Sequence, residues 1–429
     1  MIRLPSGFAA RLLGAVDEME RELVEFLREL VRIPTENPPG RAYPECAQAI
    51  GRKMEQAGCA VEYVQVPAEL QAGLAPQGEG LPRPSVLGRY PAGRERPCLH
   101  LTGHYDVVPA GEGWTVDPYA AELREGRVYG RGAADQKSGI AAQLFALKAL
   151  QRCGYRPSGS LVLSATPDEE TGGFAGLGYL VRQGLIARGN TDFVVITECL
   201  GHDRICLGHR GTLWLELETR GRQSHGSMPS LGVNAIEKML GVLGRIDRDL
   251  RPGLEQESAY PVLPPACRRS SLTVTMIQAG SKVNVIPARC TATLDWRLVP
   301  ERSVAEVGGQ LQALAERLRR EDPALELEIR ELLSVEPTLV PADTEVVHAF
   351  QEAGKEVLGR EPGFAVSPGS DDQKFVVQQA GLQQCIVYGP GPLEAAHQAD
   401  ECQPVADLKK ATAVLALAAA RLLGVEKQA

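Results

Sequence analysis

Between residues 98 and 197, short apolar runs alternate with helix-length segments, and this alternation constrains the fold more than any other feature of the chain. Residues 98–102, 160–165 and 192–197 form runs short enough for buried strands, and residues 138–150 and 174–183 between them have helical length. Strands separated by helices predict an α/β fold with a mostly parallel sheet covered on both faces. An opening helix over 19–31 is predicted from Met19, Leu23, Phe26, Leu27, Leu30 and Val31 at helical spacing, with Pro34 following. The Pro/Gly-rich stretch 67–84 predicts a surface loop.

The pattern changes near Leu213. Residues 213–218 alternate as a half-exposed strand, followed by a helix over 234–246 and strands at 272–277 and 291–297. A helix over 304–318 and a strand at 325–329 complete a βαββαβ order, the ferredoxin-like plan. After Val335 the α/β character resumes, with a helix near 345–357 and a strand at 384–388. One domain is therefore expected inside another: residues 210–332 inserted between 1–209 and 333–429.

The chain carries 46 Lys+Arg against 54 Asp+Glu, a net charge of −8, which disfavours a nucleic-acid partner. With 44% hydrophobic and 23% charged residues, disorder is excluded too. No apolar run approaches the ~20 residues that span a bilayer; residues 411–420 are too few and are flanked by Lys409, Lys410 and Arg421. Arg11 interrupts the first apolar stretch and Asp17-Glu18 follow it, which is not a signal-peptide pattern. The 10 cysteines form no CxxC pair and read as reduced thiols, so a cytoplasmic protein without membrane association is expected.

In open α/β sheets chemistry collects at the carboxyl ends of strands. Those ends lead into Gly103-His104-Tyr105-Asp106, Asp168-Glu169-Glu170-Thr171-Gly172-Gly173, Glu198, and Gly389-Pro390-Gly391 followed by His397; Asp135 precedes a helix. Two imidazoles and several carboxylates, with no thiolate, suit zinc or a similar divalent ion. So many acids in one place without a cation would be costly. A single carboxylate can bridge two ions, and such a site polarises an amide carbonyl and lowers the pKa of bound water towards about 7. A neighbouring free carboxylate would then carry the proton to the leaving amine.

In order and context these pieces resemble the zinc aminoacylase/carboxypeptidase family, the M20 metallopeptidases, and within it the acetylornithine deacetylase and succinyl-diaminopimelate desuccinylase branch. The matching stretches are PTENPPG, GHYDVVPAGEGW, EGRVYGRGAADQKSG, PDEETGG, the pair ending in Glu198, NVIPARCTATLDWR and YGPGPLEAAHQADE, which together cover nearly the whole chain. The resemblance implies two zinc ions, with cobalt or manganese as substitutes: His104, Asp135 and Glu198 around one, Asp135, Glu170 and His397 around the other. It further implies that Glu169 is the general base, that Asp106 fixes the His104 ring, and that Asp135-Gln136 is a cis peptide. Chain order alone leaves open which of Glu169 and Glu170 is base and which is ligand.

The same resemblance makes residues 210–332 a lid and dimerisation domain of a homodimer, with His225 supporting the tetrahedral oxyanion from the partner subunit. Arg210, Asn284, Arg297 and Ser370 match positions that hold the substrate's carboxylate or acyl portion, a task for which arginine's planar fork is suited. The run Pro368-Gly369-Ser370-Asp371-Asp372 departs from the relatives' usual Gly-Gly-Thr-Ser/Asp, so the acyl group does not carry over.

The implied activity is a two-zinc amidohydrolase that frees an amino acid or similar small amine from its N-acyl group (acetyl, succinyl or similar). Metal-bridged water would attack the acyl carbonyl. A dipeptidase or carboxypeptidase would use the same centre, and an inactive metal-binding protein would be expected to lack the base or a ligand. A lidless two-metal aminopeptidase would leave residues 211–330 unexplained. Each site residue also has an ordinary alternative: His104 ending a strand, Asp135 as a helix cap, Glu169-Glu170 as a solvated turn, the arginines in salt bridges. His100, mid-strand, reads as a core residue, and Cys199 as core beside the site.

Overall fold

The computed structural model describes residue 2 and residues 4–428. The chain divides into two compact units: Met1–Leu207, Val340–Ala365 and Asp371–Ala429 form the larger, and Gly208–Leu339 with Val366–Ser370 the smaller.

Four parallel strands form the centre of the larger unit's sheet, in the spatial order Ser160–Thr166, Cys98–His104, Phe193–Ile196, Cys385–Val387. Every residue of the last three is buried, which is why they read as continuous apolar runs without alternation. The flanks are antiparallel: Pro84–Tyr90 and then Ala60–Gln65 on one side, Arg204–His209 on the other. The α/β class holds, with a parallel centre and antiparallel flanks.

Lys137–Arg152, Glu345–Leu358 and Val405–Leu423 are its long central helices. The last is the Ala-rich segment, and its small side chains let it pack closely on the other two. Among the described residues no helix is long and apolar enough to cross a membrane, and all ten cysteines are free.

Two local expectations need correction. The opening helix is two helices, Phe8–Glu18 and Glu20–Val31, separated at Met19, whose N–H donates back to Ala15 and Val16. Phe8, Leu12, Ala15 and Val16 bury the face of the additional one. The stretch 67–84 is not simply a surface loop. Its helix formers between Pro67 and Gly73 build a short helix, Ala68–Leu74; Gln71 and Arg83 are buried.

The smaller unit is a four-stranded antiparallel sheet in the order Ser271–Ala279, Arg289–Leu298, Gly211–Arg220, Glu326–Val335. Ala235–Asp249 and Val304–Glu321 complete the βαββαβ connectivity. Their starts are chemically marked. Asn234 Oδ1 accepts from Ile236 N–H at 3.0 Å, and Ser303 Oγ from Glu306 N–H at 3.1 Å. Leu213, Leu215, Leu217, Met239, Ile246, Leu294, Trp296, Leu311 and Leu318 belong to its core.

Candidate metal centre

The buried strand Cys98–His104 delivers His104 to its carboxyl end. The ring's Nδ1 lies 2.9 Å from the carbonyl oxygen of Asp106 and 3.3 Å from its Oδ1. A carbonyl can only accept, so Nδ1 carries a proton and Nε2 faces inward. There it is 3.2 Å from Asp135 Oδ1 and 3.3 Å from Glu198 Oε2.

Asp135 sits just ahead of the helix Lys137–Arg152, and the peptide between Asp135 and Gln136 is cis, as the resemblance implied. The Gln136 side chain donates to Glu198 Oε2 at 2.7 Å, and Cys199 N–H donates to Glu198 Oε1 at 2.9 Å. Cys199 is therefore buried beside the site with a backbone role. The other oxygen of Asp135, Oδ2, is 3.3 Å from His397 Nε2, which also lies 3.1 Å from Glu170 Oε2. His397 is half exposed and adopts φ 62°.

Glu169 and Glu170 occupy a single tight turn after the strand Ser160–Thr166. The turn is entered through Asp168 at φ 67°, a left-handed conformation that Asp tolerates better than most residues. Asp168 is held by Tyr43 Oη at 3.0 Å and lies 2.8 Å from Arg83 Nε. Asn37 Nδ2 bridges Asp106 Oδ2 (2.8 Å) and Asp168 Oδ1 (3.2 Å). Asp106 accepts the N–H groups of Glu169 at 3.2 Å and Glu170 at 3.1 Å. It thus touches both the His104 ring and the acidic turn.

Electrostatics separate these carboxylates. Burial, then the charge on Asp135, pushes Glu170 up to about 7 and raises Glu198 as well. Glu169 is raised well above the usual range by burial and by Asp372, against the pull of His104 and Lys374. Burial would raise Asp135 also, but hydrogen bonds from His104 and His397 hold it well below. Hydrogen bonds to Asp135 and Glu170 lift His397 to about 11. His104, against its burial, is held well above the ordinary value by Glu198 and by its carboxylate hydrogen bonds. The acids here favour positive charge at the two imidazoles, and a divalent cation at each Nε2 would supply that charge in place of a proton.

The donor chemistry fits that exchange. His104, Asp135 and Glu198 form one group whose ligand atoms lie within 4.8 Å of one another; Asp135, Glu170 and His397 form a second under the same limit. Asp135 belongs to both. Nitrogen and carboxylate donors without thiolate suit zinc, and cobalt or manganese can substitute.

The other expected site residues lie in the smaller unit. His225 pairs with Val285 in a two-residue strand, and its Nδ1 is 2.8 Å from Ser227 Oγ. Asn284 accepts Gly226 N–H through its carbonyl at 2.8 Å. Arg297 pairs with Asp295, and buried Arg210 donates to Ser271 Oγ at 3.0 Å and to the Arg297 carbonyl at 3.1 Å. Ser370 ends that unit's segment Val366–Ser370, and next to it in the larger unit are buried Asp371 and Asp372.

Sequence reasoning missed several participants. Asn37 lies in the quoted PTENPPG stretch, Asp168 in PDEETGG, and Glu401 at the end of YGPGPLEAAHQADE; none was given a role. Arg83 and Asp372 had no local signal, because their roles depend on tertiary neighbours. His100 is the core residue expected, its Nε2 2.8 Å from Ser164 Oγ.

Comparison with known proteins was consistent. Residues 100–421 match the model of peptidase family M20/M25/M40. The chain is 32% identical over 333 residues to acetylornithine deacetylase of Myxococcus xanthus, covering 78% of this chain and 82% of the relative. It is 33% identical over 361 residues to succinyl-diaminopimelate desuccinylase of Gluconacetobacter diazotrophicus, covering 81% and 87%. Among solved structures, human carnosine dipeptidase 1 is similar with TM-score 0.76 at 20% identity, covering 98% of this chain and 100% of that one. An M20 family metallo-carboxypeptidase of Sulfolobus solfataricus gives TM-score 0.74 at 22% identity, covering 94% and 99%. At these identities the structural likenesses speak to the fold alone.

Proposed function

The chain belongs to peptidase family M20/M25/M40, and from that premise we propose that it is a two-metal amidohydrolase removing an N-acyl group from an amino acid or related small amine. The observation that carries the reading is Asp135, whose two oxygens face two separate histidine–carboxylate groups, with Glu169 adjoining Glu170 of the second in sequence. The relatives named as deacylase and desuccinylase, at 32% and 33% identity, support the acyl choice.

When bound, the two cations would polarise the acyl carbonyl and lower the pKa of water, so that it gives up a proton and becomes a nucleophile near neutral pH. His104, Asp135 and Glu198 would hold one, and Asp135, Glu170 and His397 the other. Glu169 is the general base: it takes the proton from the attacking water and delivers it to the leaving nitrogen. Asp106 keeps the His104 ring oriented and holds the Glu169-Glu170 turn through two N–H groups.

The smaller unit is assigned as lid and dimerisation element. Its edge strand Ser271–Ala279 leaves Val274, Met276 and Ile277 exposed, which supports pairing with a second copy. His225 of that copy would donate to the oxygen that gains charge, and Arg210, Arg297, Asn284 and Ser370 would bind the substrate's carboxylate or acyl end. Ten free cysteines support a reducing, cytoplasmic setting.

The test is a panel of N-acetyl, N-succinyl and N-formyl amino acids beside dipeptides, with the metal-loaded protein and freed primary amine as readout. Turnover of an acyl amino acid is expected. Release from dipeptides alone would replace the deacylase by a dipeptidase or carboxypeptidase using the same centre. Silence across the panel would end the enzymatic reading.

A further inference from the structure

The loops that carry Asp135 and His397 come from distant parts of the chain, yet one carboxylate ties them together. Glu401 is 1% exposed and lies four residues after His397. Its Oε1 accepts two successive backbone N–H groups, from Ala134 at 2.8 Å and from Asp135 itself at 3.0 Å. Its Oε2 accepts from Arg131 Nη1 at 2.6 Å. The backbone closes the same junction, since Glu401 O accepts Gly130 N–H at 2.9 Å and Cys402–Pro404 pairs antiparallel with Arg127–Tyr129.

Arg131, 2% exposed, extends the tie to a third segment. Its Nη2 donates to Ala110 O at 3.1 Å, and its guanidinium lies 5.2 Å from the Trp114 ring centre. Asp400 pins the neighbouring position by accepting Thr115 N–H and Oγ–H, both at 2.8 Å. A carboxylate buried this deeply is retained at a desolvation cost, which its three donors offset. The Glu401 side chain takes its hydrogen bonds from Arg131 and from the backbone N–H groups at Ala134 and Asp135, so it fixes the backbone that bears Asp135 rather than the Asp135 carboxylate.

We propose that Glu401, backed by Arg131, is a positioning residue that sets the spacing between Asp135 and His397 and thereby the affinity of the second cation. The inference rests on the two-metal reading above. The first group has supports of its own: His104 ends a central strand, and Glu198 is held by Gln136 and Cys199. His397 lies half exposed on a loop with left-handed backbone at residues 397 and 400, and the Glu401 and Asp400 bonds anchor that loop. Losing the tie should therefore fall on the second ion more than on the first.

The test is calorimetric titration of the metal-stripped full-length protein with Zn2+, resolving two binding events, for wild type, Glu401→Ala and Glu401→Gln. Expected for Glu401→Ala is a second ion bound at least about tenfold more weakly, with the first within roughly threefold, in line with the 10–100-fold usual for groups that orient ligands. Glutamine keeps an acceptor for both N–H groups, so Glu401→Gln should recover part of the loss. Two wild-type affinities in folded Glu401→Ala, or equal weakening of both ions, would overturn the proposal. If the alanine protein does not fold, Glu401→Gln decides alone: selective weakening of the second ion supports the tie, and unchanged binding overturns it. A wild-type protein taking up fewer than two ions sinks the two-metal reading and the tie with it, and the control shows this before any variant is read.

Discussion

Asp295 grips Arg297 with both carboxylate oxygens, Oδ1 at 2.7 Å from Nε and Oδ2 at 3.1 Å from Nη2. Arg297 also donates to Thr212 Oγ1 at 3.0 Å and lies 5.7 Å from the Trp214 ring centre. Its fork is thus already engaged. Arg210 differs: it is buried, its Nη2 donates to neutral oxygens at Ser271 and Arg297, its other side-chain partner is the Cys267 thiol, and its Nε has no acceptor.

Arg210 is therefore expected to dominate recognition of a substrate carboxylate. A hydrogen bond to a charged group contributes ~1.5–3 kcal/mol, so Arg210→Met should raise KM for an N-acyl amino acid roughly 10–100-fold and change kcat little. The methyl ester of the same substrate should show no such difference. Arg297→Met should cost less in KM, and a larger effect there than at Arg210 would refute the assignment.

Glu169→Gln tests the base. It keeps the shape of the turn and removes the proton acceptor, so kcat should fall by about 10²–10⁴-fold, while metal analysis still finds two ions per chain. Near-normal turnover would transfer the role to another group.

Asp106→Asn probes a different link. The carboxylate accepts from Glu169 N, Glu170 N and Asn37 Nδ2, and it faces His104 Nδ1. An amide has only one oxygen, so its NH2 must confront another donor in a buried place. The expected result is a 10–100-fold loss of metal affinity, in the range found for groups that orient ligands. Retained affinity with a shifted kcat would place the effect on Glu169 alone.

The parallel centre of the sheet was legible because its strands are buried on both faces and lack polar alternation. Arg204–His209 and Pro84–Tyr90 were not singled out, although both are largely buried. Their antiparallel pairing depends on neighbours distant in sequence. Four of the five expected ligands sit at or just past strand ends or just before a helix, positions that local pattern can mark, while His397 lies on a loop ten residues beyond Val387. Their separation into two groups around Asp135 could be stated only through resemblance, since spacing along the chain carries no distance across the sheet. The stretch 67–84 misled for a related reason: Pro and Gly mark where regular structure stops, but Arg83 is packed there because of Asp168, far away in sequence.

His100 offers a prediction independent of metal. It is buried in the central strand Cys98–His104 with Nε2 2.8 Å from Ser164 Oγ, and that hydroxyl donates to Thr102 Oγ1 at 2.7 Å. The single hydroxyl proton is thereby used, so His100 Nε2 carries the hydrogen of this contact. Burial, then the charge of Arg89, drives its pKa from 6.5 down to about 3. Between those values the unfolded chain binds a proton that the native chain does not. Native stability should therefore fall as pH drops through that window, by at most ~1.4 kcal/mol per pH unit from this residue. Glutamine can donate to Ser164 but does not titrate. Urea unfolding at several pH values from 7 to 4 should show wild type losing stability relative to His100→Gln, whatever their difference at pH 7. Parallel curves would mean that the ring takes up its proton without leaving the native state.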